Sequence, residues 1–299
     1  MITISRILGF LNETGIEYNF QGNPKTEILG FSSLSNYRPE TFTWCKNSSF
    51  LPSGISPSKF RLIITSFDIE GVQNIIITQS PKSVFFAIIE QFFRNKKEEK
   101  PPIGFNTYIS PSVKLGKNVL VGHNCSLDGV ITIGDDTIIG NNVSIVGNVV
   151  IGTRCEIQSG CIIGYENIAY SEDENHVKTI IRQYGGVTIG NDVKIQASVK
   201  IACGAIDNTV IDNKAIIGDG STISHNCYVG ENVAMLPFGI LCGSVYIGKN
   251  SYISASMIKN QIHIGENAYV GFGSVVVKDV ADNEEVWGNP ARRFPLSRR

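Results

Sequence analysis

Aliphatic residues return every six positions along most of this chain. The period runs unbroken from Ile109 through Leu115, Val121, Leu127, Ile133, Ile139, Ile145, Ile151 and Ile157 to Ile163. It resumes at Ile189, Ile195 and Ile201, then from Ile211 through Ile217, Ile223, Val229, Met235, Leu241 and Ile247 to Ile253, and again at Ile264, Val270 and Val276. Each slot is usually followed by Gly or another small or polar residue. Such a hexapeptide repeat predicts one short strand and one corner per unit, with three units closing a triangular coil and coils stacking as parallel strands. The expected fold is mainly β, a parallel β-helix, with about twenty-four units in about eight coils and a length of roughly 38 Å at ~4.8 Å per coil. Each inward aliphatic stem contributes about 1.5–3 kcal/mol when buried, so a slip of one residue, which turns the column outward, should unfold its coil.

The breaks in the period carry the next inference, because a β-helix gains nothing structural from them. Tyr165 to Gly186 is a long excursion holding Tyr170, His176, Tyr184 and the acidic run Glu172-Asp173-Glu174. Loops of that length are usually lids or binding loops. Extra residues follow Ile201, and the unit around Lys259-Asn260-Gln261 is short. Both irregularities fall within a coil or two of His225.

Residues 1–100 have no six-residue period and read as a separate small α/β domain. A helix-like opening covers Ile7 to Leu11, Arg61 to Thr65 and Asn74 to Thr78 read as buried strands, and Ser83 to Phe93 as a helix with a broad apolar face. The charged run Arg94 to Lys100, closed by Pro101-Pro102, marks a linker, so the β-helix is expected over 101–280 with the 165–186 loop, followed by a tail at 281–299.

Composition removes several classes of function. With 299 residues and a formal net charge of -1, the chain has no basic excess to suggest nucleic acid. The start Met1-Ile2-Thr3-Ile4-Ser5-Arg6 lacks secretory features, and no apolar run approaches membrane-spanning length, so a cytoplasmic protein without membrane insertion is expected. Seven cysteines include no C-x-x-C pair. Cys125, Cys155, Cys161 and Cys227 fall on the fifth hexapeptide position, where a small inward corner side chain is wanted, and read as packing thiols.

One histidine has an unusual neighbour. In the triangular coil His225 is followed one coil later by Gly243, which places an imidazole beside an unhindered backbone N–H on one edge of the prism. A base beside an amide donor is the minimal equipment for acyl transfer; the alternative is a solvent-facing corner histidine. His123 shares the hexapeptide position but lies several coils away, His176 sits in the long loop, and His263 follows the short unit. A zinc site would need three histidines converging within one or two coils, which these spacings do not supply, so no metal is expected.

The strings Cys155-Glu156-Ile157-Gln158-Ser159-Gly160, Gly204-Ala205-Ile206-Asp207-Asn208-Thr209 and Ile223-Ser224-His225-Asn226 resemble UDP-3-O-acylglucosamine N-acyltransferases, and the resemblance runs over most of residues 1–280. It implies a left-handed helix and a homotrimer with active sites between neighbouring prisms. It also implies that His225 is the general base taking a proton from a sugar amine and that the Gly243 N–H holds the thioester oxyanion. In that family an aromatic, an Asn and a second aromatic, each three positions apart, hold the uracil ring; Trp44, Asn47 and Phe50 have that spacing. Asn226, Gln261 and Tyr170 are weaker substrate-binding candidates.

The chain departs from the pattern in several places. Asn167-Ile168-Ala169-Tyr170 replaces a Gly-Phe-Gly-Tyr loop, Ala202-Cys203 replaces Asp-Arg, and Gln261 falls near a second family histidine. The segment Val286 to Arg293 resembles the closing segment of coenzyme A-dependent hexapeptide acyltransferases. The expectation is therefore an N-acyltransferase that moves an acyl group from acyl-CoA to a UDP- or dTDP-linked amino sugar in surface polysaccharide biosynthesis. One alternative is the lipid A N-acyltransferase itself, with acyl carrier protein as donor. Another, of a different class, is a non-catalytic β-helical scaffold that binds sugar nucleotides.

Overall fold

The computed structural model describes residues 1–52, 54, 56–94 and 101–293; most of the expected linker, 95–100, and the end of the tail, 294–299, lie outside the described residues. The chain divides into two compact units, Met1–Glu98 and Glu99–Arg299.

The first unit is a five-stranded sheet in the order Asn19–Gln21, Ile75–Ile77, Leu62–Thr65, Thr41–Cys45, Gly30–Phe31, antiparallel only at its first pair. Helix α1, Ile4–Glu13, buries Ile4, Ile7 and Leu11 on one stripe. Helix α2, Pro81–Phe92, buries Val84, Phe85 and Ile88. It begins two residues before Ser83, because proline is pre-organised for the first helical position, where its missing N–H costs nothing. Phe42, Leu62, Ile64 and Ile76 pack with both helices, while Cys45, Ile63 and Ile75 face a second core with Phe60. Asn74, expected to open the strand, lies just before the observed Ile75–Ile77. Its side chain instead donates to the Arg61 carbonyl and accepts from the Asn23 N–H, joining two loops.

The second unit is a left-handed parallel β-helix built from the hexapeptide slots. One face stacks Leu120–Val121, Ile138–Ile139, Glu156–Ile157, Lys194–Ile195, Ile216–Ile217, Ala234–Met235, Tyr252–Ile253, Tyr269–Val270 and Glu285–Trp287 in parallel. The other two faces join where Ser126–Ile133 and Ser144–Ile151 run round a corner through Gly129 and Gly147, both at positive φ. A Cβ on Gly129 would collide with the Gly147 backbone, so only glycine lets the two strands turn together.

The inward column does not stop where the six-residue period does. Ile258, Val280 and Val286 also occupy core slots, Val280 bridging to Ile264 and Val286 pairing with Val270. The prism is therefore longer than the expected eight coils. The units that end at Ile258 and Val280 are shorter than six residues, so a strict period loses the column there.

Two features hold the corners. A residue in the left-handed region recurs there, often Asn or Asp, as at Asn124, Asp136, Asn142, Asp192 and Asn250. Those two residue types tolerate positive φ best after glycine. The small inward corner side chain donates to a backbone carbonyl of the next coil: Cys125 to Gly140, Thr137 to Gly152, Cys155 to Gly190 and Ser251 to Gly265. All four expected packing thiols are free and buried.

Candidate active site

Strand Thr222–Ile223 ends at Ser224 and turns through His225 and Asn226; one coil on, Ile240–Leu241 ends at Cys242 and turns through Gly243 and Ser244. The Ser224 N–H donates to the Leu241 carbonyl at 3.1 Å and the Ser244 N–H to the His225 carbonyl at 2.9 Å, fixing the register. The imidazole lies over Gly243. A Cβ at that position would stand 2.5 Å from Nε2 and 2.7 Å from Cε1, so the ring fits only because residue 243 has no side chain.

The hydrogen-bond ladder changes at this edge. At other corners the turn N–H is capped by an Asn or Asp of the next coil, as Thr153 by Asn191 at 2.8 Å and Ala197 by Asp219 at 3.0 Å. Among the described residues no acceptor takes the N–H of His225 or of Gly243. The Gly243 carbonyl is occupied by the Gln261 N–H at 3.0 Å. An open backbone donor thus lies beside Nε2, while Nδ1 is buried without a hydrogen-bond partner. This arrangement can accept a proton at Nε2 and hold a developing oxyanion at an amide.

The neighbouring thiol does not compete. Cys227 donates to the Cys242 carbonyl at 3.1 Å, and burial pushes its pKa up to about 12. A thiol held neutral is a poor nucleophile.

The irregular segments meet next to His225. The Asn226 side-chain oxygen accepts from the Ala205 N–H at 2.7 Å, so Asn226 pins the inserted residues. The Tyr184 N–H donates to the Ala205 carbonyl at 2.9 Å and the Gly185 N–H to the Gly204 carbonyl at 3.0 Å, tying the returning leg of the excursion to the same insertion. Buried Gln183 takes the Asn167 N–H at 2.8 Å and the Cys203 thiol at 3.6 Å. Sequence reasoning found both breaks but not this junction, because the bonds depend on how two aperiodic segments fold.

The weaker candidates lie in different settings. Gln261 is exposed, at positive φ, on the corner one coil beyond Gly243. Tyr170 belongs to a hairpin, Tyr170–Glu172 with Lys178–Ile180, where Lys178 Nζ lies 5.5 Å from its ring. His176 bonds Glu172 there and, with Lys178, holds that carboxyl below its usual range. His123 accepts the Phe105 N–H at 2.7 Å, and His263 stacks on Tyr246 with ring centres 4.5 Å apart, which in turn stacks on Tyr228. Among the described residues no cluster of His, Cys, Asp or Glu could hold a metal ion.

In the first unit the three nucleotide candidates lie in different local settings. Trp44 packs with the helix-side core, its ring 6.4 Å from Phe85. Asn47 caps a short 3₁₀ turn by accepting the Ser49 N–H at 3.2 Å, and Phe50, at the end of that turn, is 67% exposed. No ring contact joins Trp44 to Phe50 among the described residues.

Comparison with known proteins agrees with this architecture. Residues 131–165 match the family described as bacterial transferase hexapeptide (six repeats), and residues 112–146 match the hexapeptide repeat of succinyl-transferase. The chain carries the hexapeptide repeat of the bacterial transferases. Within that class it is similar to UDP-3-O-acylglucosamine N-acyltransferases of the lipid A type. It is 31% identical to the one from Janthinobacterium sp. (strain Marseille) over 133 residues, 44% of this chain and 38% of the relative. It is 44% identical to the one from Ectopseudomonas mendocina (strain ymp) over 82 residues, 27% of this chain and 23% of the relative. The matched stretches thus span well under half of those relatives. Among solved structures, the UDP-N-acetylglucosamine O-acyltransferase from Moraxella catarrhalis RH4 superposes with a TM-score of 0.57 at 23% identity, over 66% of this chain and 75% of that one. LpxA from Acinetobacter baumannii superposes with a TM-score of 0.58 at 24% identity, over 65% and 74%. These similarities establish the fold.

Proposed function

We propose that this chain is an N-acyltransferase that moves an acyl group from a thioester donor to the amine of a UDP-linked amino sugar, the relatives pointing to UDP-3-O-acylglucosamine as acceptor. The observation that carries the reading is the stacking of the His225 imidazole over Gly243, with the Gly243 N–H free to take an oxyanion. The amine attacks the thioester carbonyl while His225 Nε2 accepts its proton. The carbonyl oxygen, now negative, is held by the Gly243 N–H. As the C–S bond breaks, the same proton passes to the departing sulfur, and the amide and a free thiol leave. An imidazole suits this exchange near neutral pH, and no covalent enzyme intermediate is needed.

The relatives, UDP-3-O-acylglucosamine N-acyltransferases, favour the lipid A acceptor over a generic sugar nucleotide; in that reading acyl carrier protein is the donor. A second reading keeps acyl-CoA. It is favoured by the closing hairpin of Glu285–Trp287 with Arg292–Arg293, where the Trp287 ring covers Gly271 in the segment whose sequence resembles the end of coenzyme A-dependent hexapeptide acyltransferases. The nucleotide would be held in the first unit near Trp44, Asn47 and Phe50. We place the enzyme in the cytoplasm as a homotrimer; no helix among the described residues is long and apolar enough to cross a membrane.

The test is thiol release and product mass with acyl carrier protein and coenzyme A thioesters against UDP-3-O-acylglucosamine and a set of UDP- and dTDP-linked amino sugars. A mass gain on one acceptor, lost in His225→Ala, supports the reading. Silence with every pair leaves the scaffold.

A further inference from the structure

We propose that Tyr184 and Ile206 form the wall against which the pyranose ring of the acceptor stacks as its amine meets His225; this rests on the acyl-transfer reading above. Tyr184 and Ile206 are 81% and 82% exposed, although each sits in a segment tied firmly to the prism. What sets these two apart from other exposed apolar residues is that their segments are tied by hydrogen bonds at Ala205 to the turn carrying His225. Loop residues positioned by a rigid scaffold are where binding contacts concentrate.

The anchoring is specific. The Tyr184 N–H donates to the Ala205 carbonyl, and the Ala205 N–H donates to Asn226, the residue after His225. The Gly186 N–H donates to the Asn208 side chain at 2.8 Å, and the Gly186 carbonyl accepts from the N–H groups of Gly204 and Thr209 at 3.1 and 3.0 Å. Only two hydrogen bonds therefore separate Tyr184 from the turn that carries the base.

Order along the edge assigns the occupant. Ala205 lies one coil before Asn226 and Gly243 one coil after His225. The thioester carbonyl belongs at Gly243, so the donor approaches from that side and the acceptor's ring is left the side of Ala205 and Tyr184. A tyrosine ring and an isoleucine offer a flat apolar surface for the C–H face of a sugar while its hydroxyls stay solvated. The excursion that interrupts the β-helix thereby anchors an aromatic residue at the corner that carries His225.

The experiment is steady-state kinetics on the full chain with the acceptor and donor that wild type uses, varying each in turn. Tyr184→Ala should raise the KM for the amino sugar about tenfold, leaving the donor KM unchanged, as the loss of one ring-stacking contact does. Tyr184→Phe should keep the wild-type value and Ile206→Ser should raise acceptor KM as well. An acceptor KM unchanged in Tyr184→Ala overturns the inference and leaves the His225 chemistry standing. So does a rise confined to the donor KM, or a loss of activity that tracks a smaller assembly by sedimentation. A wild-type chain with no turnover removes the acyl-transfer reading and this inference with it.

Discussion

Gly243 lies so close beneath the imidazole of His225 that a methyl group there would stand 2.5 Å from Nε2. The obstructing atoms are those of a ring on a rotatable side chain at a half-buried corner, so Gly243→Ala can be relieved by swinging His225 outward. We predict a folded protein whose melting temperature falls by only a few degrees and whose kcat falls by at least about a hundredfold, since base and oxyanion donor part together. Calorimetry and kinetics on one preparation check both halves.

His225→Ala removes the base and leaves the neighbouring turn hydrogen bonds, which are backbone bonds, in place. Turnover should drop by about 10²–10⁴, the range general-base catalysis supplies. Binding of the UDP sugar, measured by calorimetry, should stay within a factor of about two, because the nucleotide candidates lie in the other unit. Wild-type turnover in this variant would refute the mechanism.

Cys227 tests whether transfer is direct. Its thiol bonds the Cys242 carbonyl and has its pKa pushed up to about 12, mainly by burial. Serine does the same work at Ser251, donating to Gly265 at 2.7 Å. Cys227→Ser should therefore keep turnover within about threefold, where loss of a thiol nucleophile would abolish it. The raised pKa also fixes a sign. The unfolded chain ionises this thiol in the ordinary range while the folded chain does not, so its contribution to stability is intact below that range and is lost as pH climbs through it towards about 12. The difference in unfolding midpoint between wild type and Cys227→Ser, followed from neutral to alkaline pH, reads this effect.

How much of this was legible in the sequence depended on whether a residue's position was set by the repeat. Ile223 and Ile247 were, because an aliphatic slot every sixth residue can only point inward, and so were His225 and Gly243, whose neighbourhood follows from coil length alone. Ile258 and Val280 were missed, since each closes a short unit, and Val286, a full six residues beyond Val280, was lost with them. Trp44, Asn47 and Phe50 show the limit of spacing as an argument. Strand alternation sends Trp44 to the side of Phe42 and Phe85, and a 3₁₀ turn follows Asn47, so how the three meet a ring is set by the turn and not by a period. The bonds among Tyr184, Ala205 and Asn226 had no periodic signal at all; only the break in the pattern marked where to look.

The repeat itself gives the final prediction. Ile223 is fully buried in the column, two residues before His225 on the strand that leads into it, packed between coils through Ile201 and Leu241. Ile223→Ala removes the branched stem and leaves a cavity that neighbouring coils, held by parallel hydrogen bonds, cannot close, so unfolding should become easier by about 2–5 kcal/mol. Ile206→Ala deletes a side chain that is largely in water and should change stability by less than about 0.5 kcal/mol. Because stability in stacked repeats is carried by nearest-neighbour interfaces, the damage from Ile223→Ala should be local. Hydrogen exchange should accelerate first at the amides of Thr222 and Ser224, which donate to Gly239 and Leu241, and only later at Leu120 on the far coils. Uniform acceleration along the whole prism would mean that it unfolds as one cooperative body rather than coil by coil.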